Sequence, residues 1–168
     1  METNTHVLFY GHKPEKIGYW MSNFWPCIFK DEEGITYNCS EQYFMYKKAD
    51  LFDPENTKLK NQILTETDPH KIKAYGRKVK NYDDNRWTQC SFQVMFEANF
   101  YKFTQNSDLA NKLIMTGNKT LVEASPSDGK WGAGKSAKQI IKDNYQFTGN
   151  NWLGQVLEMV RNNLKNNV

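Results

Sequence analysis

Residues 85–105 hold a helical period longer than any other in the chain. Trp87, Cys90, Val94, Met95, Ala98 and Tyr101 recur at that spacing and mark a side that must be buried. Shorter helical segments surround it. Ser40 reads as an N-cap, with Glu41 in the first turn where the helix dipole favours an anion. That helix runs to about residue 51 and stops near Asp53-Pro54. Further helices are predicted over 55–64, from Asp68-Pro69 to residue 80, and over 107–116 ahead of Gly117. The last covers 151–165, with Leu153, Val156, Leu157, Val160 and Leu164 on one stripe. Strands are predicted at 6–10, 26–30, 35–38 and 121–124. The fold class is therefore α+β: a mainly helical single domain over residues 1–168 with a small N-terminal β-sheet.

Composition narrows the function classes. Ten Phe, nine Tyr and five Trp need a dry interior, which excludes a disordered chain. The net charge of +3 is too small to mark a nucleic-acid binder by itself. No run approaches the apolar length of a membrane span, so no membrane partner is expected. Residues 1–10 lack the basic start and apolar stretch of a secretory leader, and the expected setting is cytoplasmic and reducing. Cys27, Cys39 and Cys90 form no CxxC pair, and His6, His12 and His70 form no HExxH. Neither a metal site nor a cofactor is expected.

Gly129-Lys130-Trp131-Gly132-Ala133-Gly134-Lys135-Ser136 fits the phosphate-loop pattern GxxxxGK[ST]. A triphosphate would then lie on backbone N–H groups, with Lys135 at its end. Against this, the residues after Ser136 read as helix, without an apolar strand ending in Asp, and Trp131 is bulky where backbone must wrap phosphate. A looser reading keeps a glycine loop that lets backbone approach a ligand, with Trp131 as a flat face.

A better signal is distributed along the chain. Glu41, Phe44, Met45 and Lys48 fall at i, i+3, i+4 and i+7 and share one helical stripe. The Cα atoms of Glu41 and Lys48 are then about 10.5 Å apart, and the long lysine leans back toward the glutamate. Two charges separated by two apolar residues suit the rim or floor of a pocket. Glu41, ionised beside the helix N-terminus, suits a general base or an acceptor for a ligand hydroxyl. Lys48, packed by Phe44 and Met45, is expected to have a depressed pKa, which makes its amine a nucleophile toward a sugar's anomeric carbon. Trp87 and Trp131 offer two indoles to a flat heterocycle. Asp128 is either a turn residue or a carboxylate that stabilises positive charge on a ribose ring. Arg77 suits a phosphate, and Asn23 a ligand hydrogen bond.

Ser22-Asn23-Phe24, Ser40-Glu41-Gln42-Tyr43-Phe44, Gly76-Arg77 with Arg86-Trp87, Asp128-Gly129-Lys130-Trp131-Gly132 and Asn151-Trp152-Leu153-Gly154 together resemble the NADAR, or YbiA-like, family over about residues 8–164. Known members are N-glycosidases. The resemblance implies a cofactor-free hydrolase of a ribose C1–N bond. Glu41, Lys48 and Asp128 would be its catalytic residues, and Asn23, Phe24, Arg77, Trp87, Trp131 and Gly132 would bind substrate. It further implies that a lysine matching Lys48 attacks C1 and forms a Schiff base. Two substrates fit the family: ADP-ribose attached to guanine, in DNA or as a nucleotide, and the early phosphoribosylamino-pyrimidine of riboflavin synthesis. Gln42 stands where some members have His, and the segment 135–150 is longer than in compact relatives. The competing readings are a phosphate-loop nucleotide binder and a non-catalytic ADP-ribose-binding module.

Overall fold

A computed structural model describes residues 1–166, which fold as two units: Met1–Trp25 with 107–166, and Pro26–Asn106. In chain order the elements are β1 (His6–Phe9), β2 (Phe29–Lys30), β3 (Thr36–Tyr37), α1 (Ser40–Phe52), α2 (Thr57–Thr65), α3 (Pro69–Gly76), α4 (Asp84–Thr104), α5 (Ser107–Met115), β4 (Thr120–Glu123), α6 (Ala137–Lys142) and α7 (Trp152–Asn166). A single 3-10 turn covers Tyr19–Met21. No helix of the described residues is long and apolar enough to cross a membrane.

In the first unit β1 and β4 run parallel, with His6 opposite Thr120 and Phe9 opposite Glu123. Val7, Leu8, Phe9, Leu121 and Val122 are all buried, as expected of parallel strands covered on both faces. The α7 stripe Leu153, Val156, Leu157 and Val160 is buried, and the helix packs on β4 and α5. A second apolar cluster joins Leu8, Val122, Ala124 and Ala133 to Ile140 of α6. The α6 helix, six residues long, is too short to announce itself by period. Its start is fixed by a capping box between Ser136 and Gln139.

The second unit joins a two-residue antiparallel ladder, Phe29 opposite Tyr37 and Lys30 opposite Thr36, to α1–α4. Phe29, Tyr37, Tyr43 and Ala98 form its aromatic core. The α1 helix packs on α2, α3 and α4. The predicted sheet is thus two small sheets, and the strand 120–123 supplies half of the first. The predicted helix 68–80 ends at Gly76, where Arg77 takes the C-cap.

Ser40 is the first helical residue rather than the N-cap; that place falls to Cys39. The Ser40 hydroxyl is buried without a hydrogen bond among the described residues. Gln42 closes the helix start instead, its Oε1 accepting the Asn38 N–H at 2.7 Å. Its Nε2 donates to the carbonyls of Ile63 (2.8 Å), Leu64 (3.1 Å) and Glu66 (3.0 Å) at the end of α2. One fully buried amide therefore ties the start of the Glu41 helix to the end of its neighbour. Gln42→Ala strands buried carbonyls and is expected to cost about 1–3 kcal/mol in urea unfolding. A variant as stable as wild type would contradict this bracing.

Lys102 of α4 is fully enclosed. Burial pulls its amine down to about 8, and the nearby Cys27 and Cys39 thiols push it back up. Burial also pushes the Cys39 thiol up to about 12. The folded-state value for Lys102 lies below the ordinary 10.5, so the cost of enclosing the charge is fully present below pH 8. That cost fades as pH rises toward the unfolded value. The stability of wild type relative to Lys102→Met is expected to rise by about 3 kcal/mol between pH 7 and pH 10.5 in paired urea titrations. A difference independent of pH would show that the lysine is not held in a dry site.

Candidate active site

The α1 helix carries the stripe that the sequence singles out. Glu41 lies in its first turn and is 5% exposed. Phe44 and Met45 are buried beneath it, and Lys48 is half-buried one turn further on. The two neighbouring lysines have different surroundings. Lys47 faces the carboxylates of Asp31 (3.6 Å) and Glu33 (3.8 Å). Lys48 Nζ instead donates to the Gly76 carbonyl at 3.0 Å and lies 4.0 Å from the centre of the Tyr82 ring. Gly76 suits this approach: a Cβ would collide with the Met45 side chain, which would have to move for the end of α3 to lie this close to α1.

Burial pulls the Lys48 amine below the usual lysine range; Asp84 and Glu41 pull it back up, and Arg77 pushes it down. The amine is thus easier to deprotonate than a solvated lysine, in the direction expected from its packing. Arg77 is exposed at the end of α3, within electrostatic reach of Lys48. Trp87 is 6% exposed, with its ring 4.8 Å from Phe44 and 6.2 Å from Phe52. It is a wall of the aromatic layer under α1, not an open platform. One edge lines a cavity of about 490 Å³ with Arg86, Cys90 and Leu51.

In the other unit, Asp128, Trp131 and Gly132 share the loop between β4 and α6. Asp128 Oδ1 accepts the N–H groups of Lys130 (3.0 Å) and Trp131 (2.8 Å), the pattern of a turn residue. A Cβ on Gly132 would lie 2.9 Å from the Asp128 carbonyl oxygen and the Ser125 Cβ, so the loop closes only over glycine. Trp131 meets Trp152 edge to face at 5.5 Å. Asn23 and Phe24 follow the 3-10 turn, where Ser22 Oγ accepts the Phe24 N–H at 3.2 Å and the Phe24 ring lies 5.6 Å from His12.

The phosphate-loop reading meets a chemical obstacle. The N–H groups of residues 130 and 131 go to Asp128 Oδ1, that of Ala133 to the Glu123 carbonyl and that of Gly134 to the Asp128 carbonyl. The Ser136 N–H goes to Gln139. Lys135 Nζ is held by Asp143 at 2.7 Å and by the Gln146 carbonyl at 3.1 Å. A loop that satisfies its own donors does not cradle a phosphate. Among the described residues no group of three His, Cys, Asp or Glu is placed to hold a metal ion.

The structure adds groups that sequence reasoning missed. Tyr82 and Asp84 join Lys48, and Trp152 and Lys130 join Trp131, with Lys130 Nζ 5.0 Å from the Trp152 ring. Asn151 takes a positive φ of 51° and bonds Glu123 N–H and the Leu121 carbonyl, locking α7 to β4. Only the Asn-Trp-Leu-Gly segment was legible beforehand, as a helix start.

The NADAR domain profile matches residues 8–165. An N-glycosidase of Acanthamoeba polyphaga mimivirus is 40% identical over 96% of this chain and 97% of its own length. A riboflavin biosynthesis protein of Vibrio vulnificus is 28% identical over 93% of this chain and 38% of its own, longer sequence. The NMR structure of the E. coli protein YbiA superposes with a TM-score of 0.78 at 26% identity, covering 99% of this chain and 89% of that one. The Glu41 helix start, the tryptophan-bearing glycine loop and the Asn151 lock all lie inside the matched span, and with this fold and this extent of identity the chain belongs to the NADAR family.

Proposed function

We propose that the protein is an N-glycosidase that hydrolyses the bond between ribose C1 and a nitrogen in a nucleotide-like substrate. The observation that carries this reading is the setting of Lys48: an amine on the face of a buried glutamate, resting on a carbonyl and an aromatic ring, with a pKa lowered by burial. Lysines that work as nucleophiles are held in this way.

In the proposed sequence Lys48 Nζ attacks C1 as the C1–N bond breaks. The Glu41 carboxylate takes the proton lost by the amine and returns it to the leaving nitrogen. The new C1–Nζ adduct opens to an imine as the ring oxygen takes a proton. Water adds to C1, and the resulting carbinolamine expels the lysine amine and leaves the sugar as its aldehyde. Arg77 meets phosphate.

The mimivirus relative is named an N-glycosidase, which supports the reaction class, and the Vibrio relative a riboflavin biosynthesis protein, which supports a phosphoribosylamino-pyrimidine as one candidate substrate; ADP-ribosylated guanine, free or in DNA, is the other candidate. Assaying each with purified protein in EDTA tests the reading. Release of free sugar phosphate or ADP-ribose from one of them is expected. Tight binding of ADP-ribose with no product from either substrate would support a binding module instead.

A further inference from the structure

Tyr82 is 42% exposed yet fixed on three sides. Its hydroxyl donates to Asp84 Oδ1 at 2.7 Å, its ring meets Phe52 edge to face at 5.4 Å, and its face lies 4.0 Å from Lys48 Nζ. Asp84 is free for this because Asp83, the N-cap of α4, already accepts the Arg86 N–H. Asp84 lies in the first turn of that helix, where the dipole favours its carboxylate. We infer that Tyr82 is the positioning residue of Lys48: tethered to Asp84, it clamps the amine between its ring face and the Gly76 carbonyl.

The inference rests on the reading of Lys48 as nucleophile and adds what directs it. A flexible four-carbon side chain has many rotamers, and attack on C1 needs one direction. The ring face attracts the ammonium through its quadrupole, and the carbonyl accepts a hydrogen bond from it. Together they set the direction of Nζ before substrate arrives. The charged groups facing Lys48 are Asp84 from α4, Glu41 from its own helix and Arg77 at the end of α3. None of them is a hydrogen-bond partner of Nζ; the aromatic face and the carbonyl do the holding.

The test reads the amine without substrate. Trace acetylation of the full chain with acetic anhydride from pH 6 to pH 11, with the Lys48 peptide followed by mass spectrometry, gives the titration midpoint of Nζ. Lys47 serves as the internal reference. Tyr82→Leu keeps an apolar cover but removes the ring face, and is expected to lower the Lys48 midpoint by about half a unit or more. Tyr82→Phe keeps the ring and is expected to retain most of the wild-type midpoint. In turnover, Tyr82→Leu is expected to lower kcat with little change in KM, and Tyr82→Phe to restore most of it. A Lys48 midpoint unmoved in Tyr82→Leu overturns the inference. Failure of the underlying reading shows separately, as full turnover in Lys48→Ala.

Discussion

Glu41→Gln is expected to lower kcat on the cleaved substrate by at least about 10²-fold, with KM and thermal stability close to wild type. The substitution keeps the shape of the side chain and removes the carboxylate's charge and its ability to take a proton. Glu41 lies in the first turn of α1 at 5% exposure, so its backbone is set by the helix and its side chain is shielded from bulk water. Both features place a shielded carboxylate on the same helical stripe as the amine. Full turnover in Glu41→Gln would remove the general-base role; a change in KM alone would reduce Glu41 to a ligand contact.

Lys48→Ala is expected to lower turnover by about 10³-fold or more, because it removes the proposed nucleophile. Lys48→Arg is expected to be equally inactive, since a guanidinium does not give up its proton in a protein. Wild-type kcat/KM should rise with pH until the Lys48 amine is neutral, because only the free amine attacks. Burial lowers that point, while Asp84 and Glu41 oppose it. Asp84→Asn removes an opposing charge and should therefore move the acid limb to lower pH. A limb that stays in place in Asp84→Asn would mean that another group titrates.

The mainly helical fold was legible because long periods survive in sequence. The α4 and α7 stripes read directly, and so did most helix ends marked by Asp, Pro or Gly. Short elements were not legible: α6 has six residues and β2 and β3 two each, below the length at which a period can be counted. Ser40 shows a different limit. A serine before a helix is a good N-cap by local rules, yet Gln42 took over the helix start through contacts with residues 63–66. Such long-range competition has no local signature.

At the candidate site the stripe Glu41–Phe44–Met45–Lys48 follows from helical spacing alone, and the structure places it on α1 as read. What spacing could not show is what each charge meets. Lys47 and Lys48 are adjacent in sequence, but one faces carboxylates and the other a ring and a carbonyl. Tyr82 lay outside every motif because its role depends on the end of α3 approaching α1, which Gly76 permits. Trp87, one of the two indoles that the sequence offers to a flat heterocycle, packs against Phe44 and Phe52 and also lines the cavity beside Arg86 and Cys90.

In the proposed mechanism Lys48 bonds to the sugar during turnover. Sodium borohydride added to the working enzyme reduces an imine to a stable amine and leaves the sugar attached. With either candidate substrate that is cleaved, a sugar adduct is expected on the Lys48 peptide of wild type, diminished in Glu41→Gln and missing in Lys48→Ala. Rapid product release with no adduct on any peptide, or an adduct on a different lysine, would contradict it.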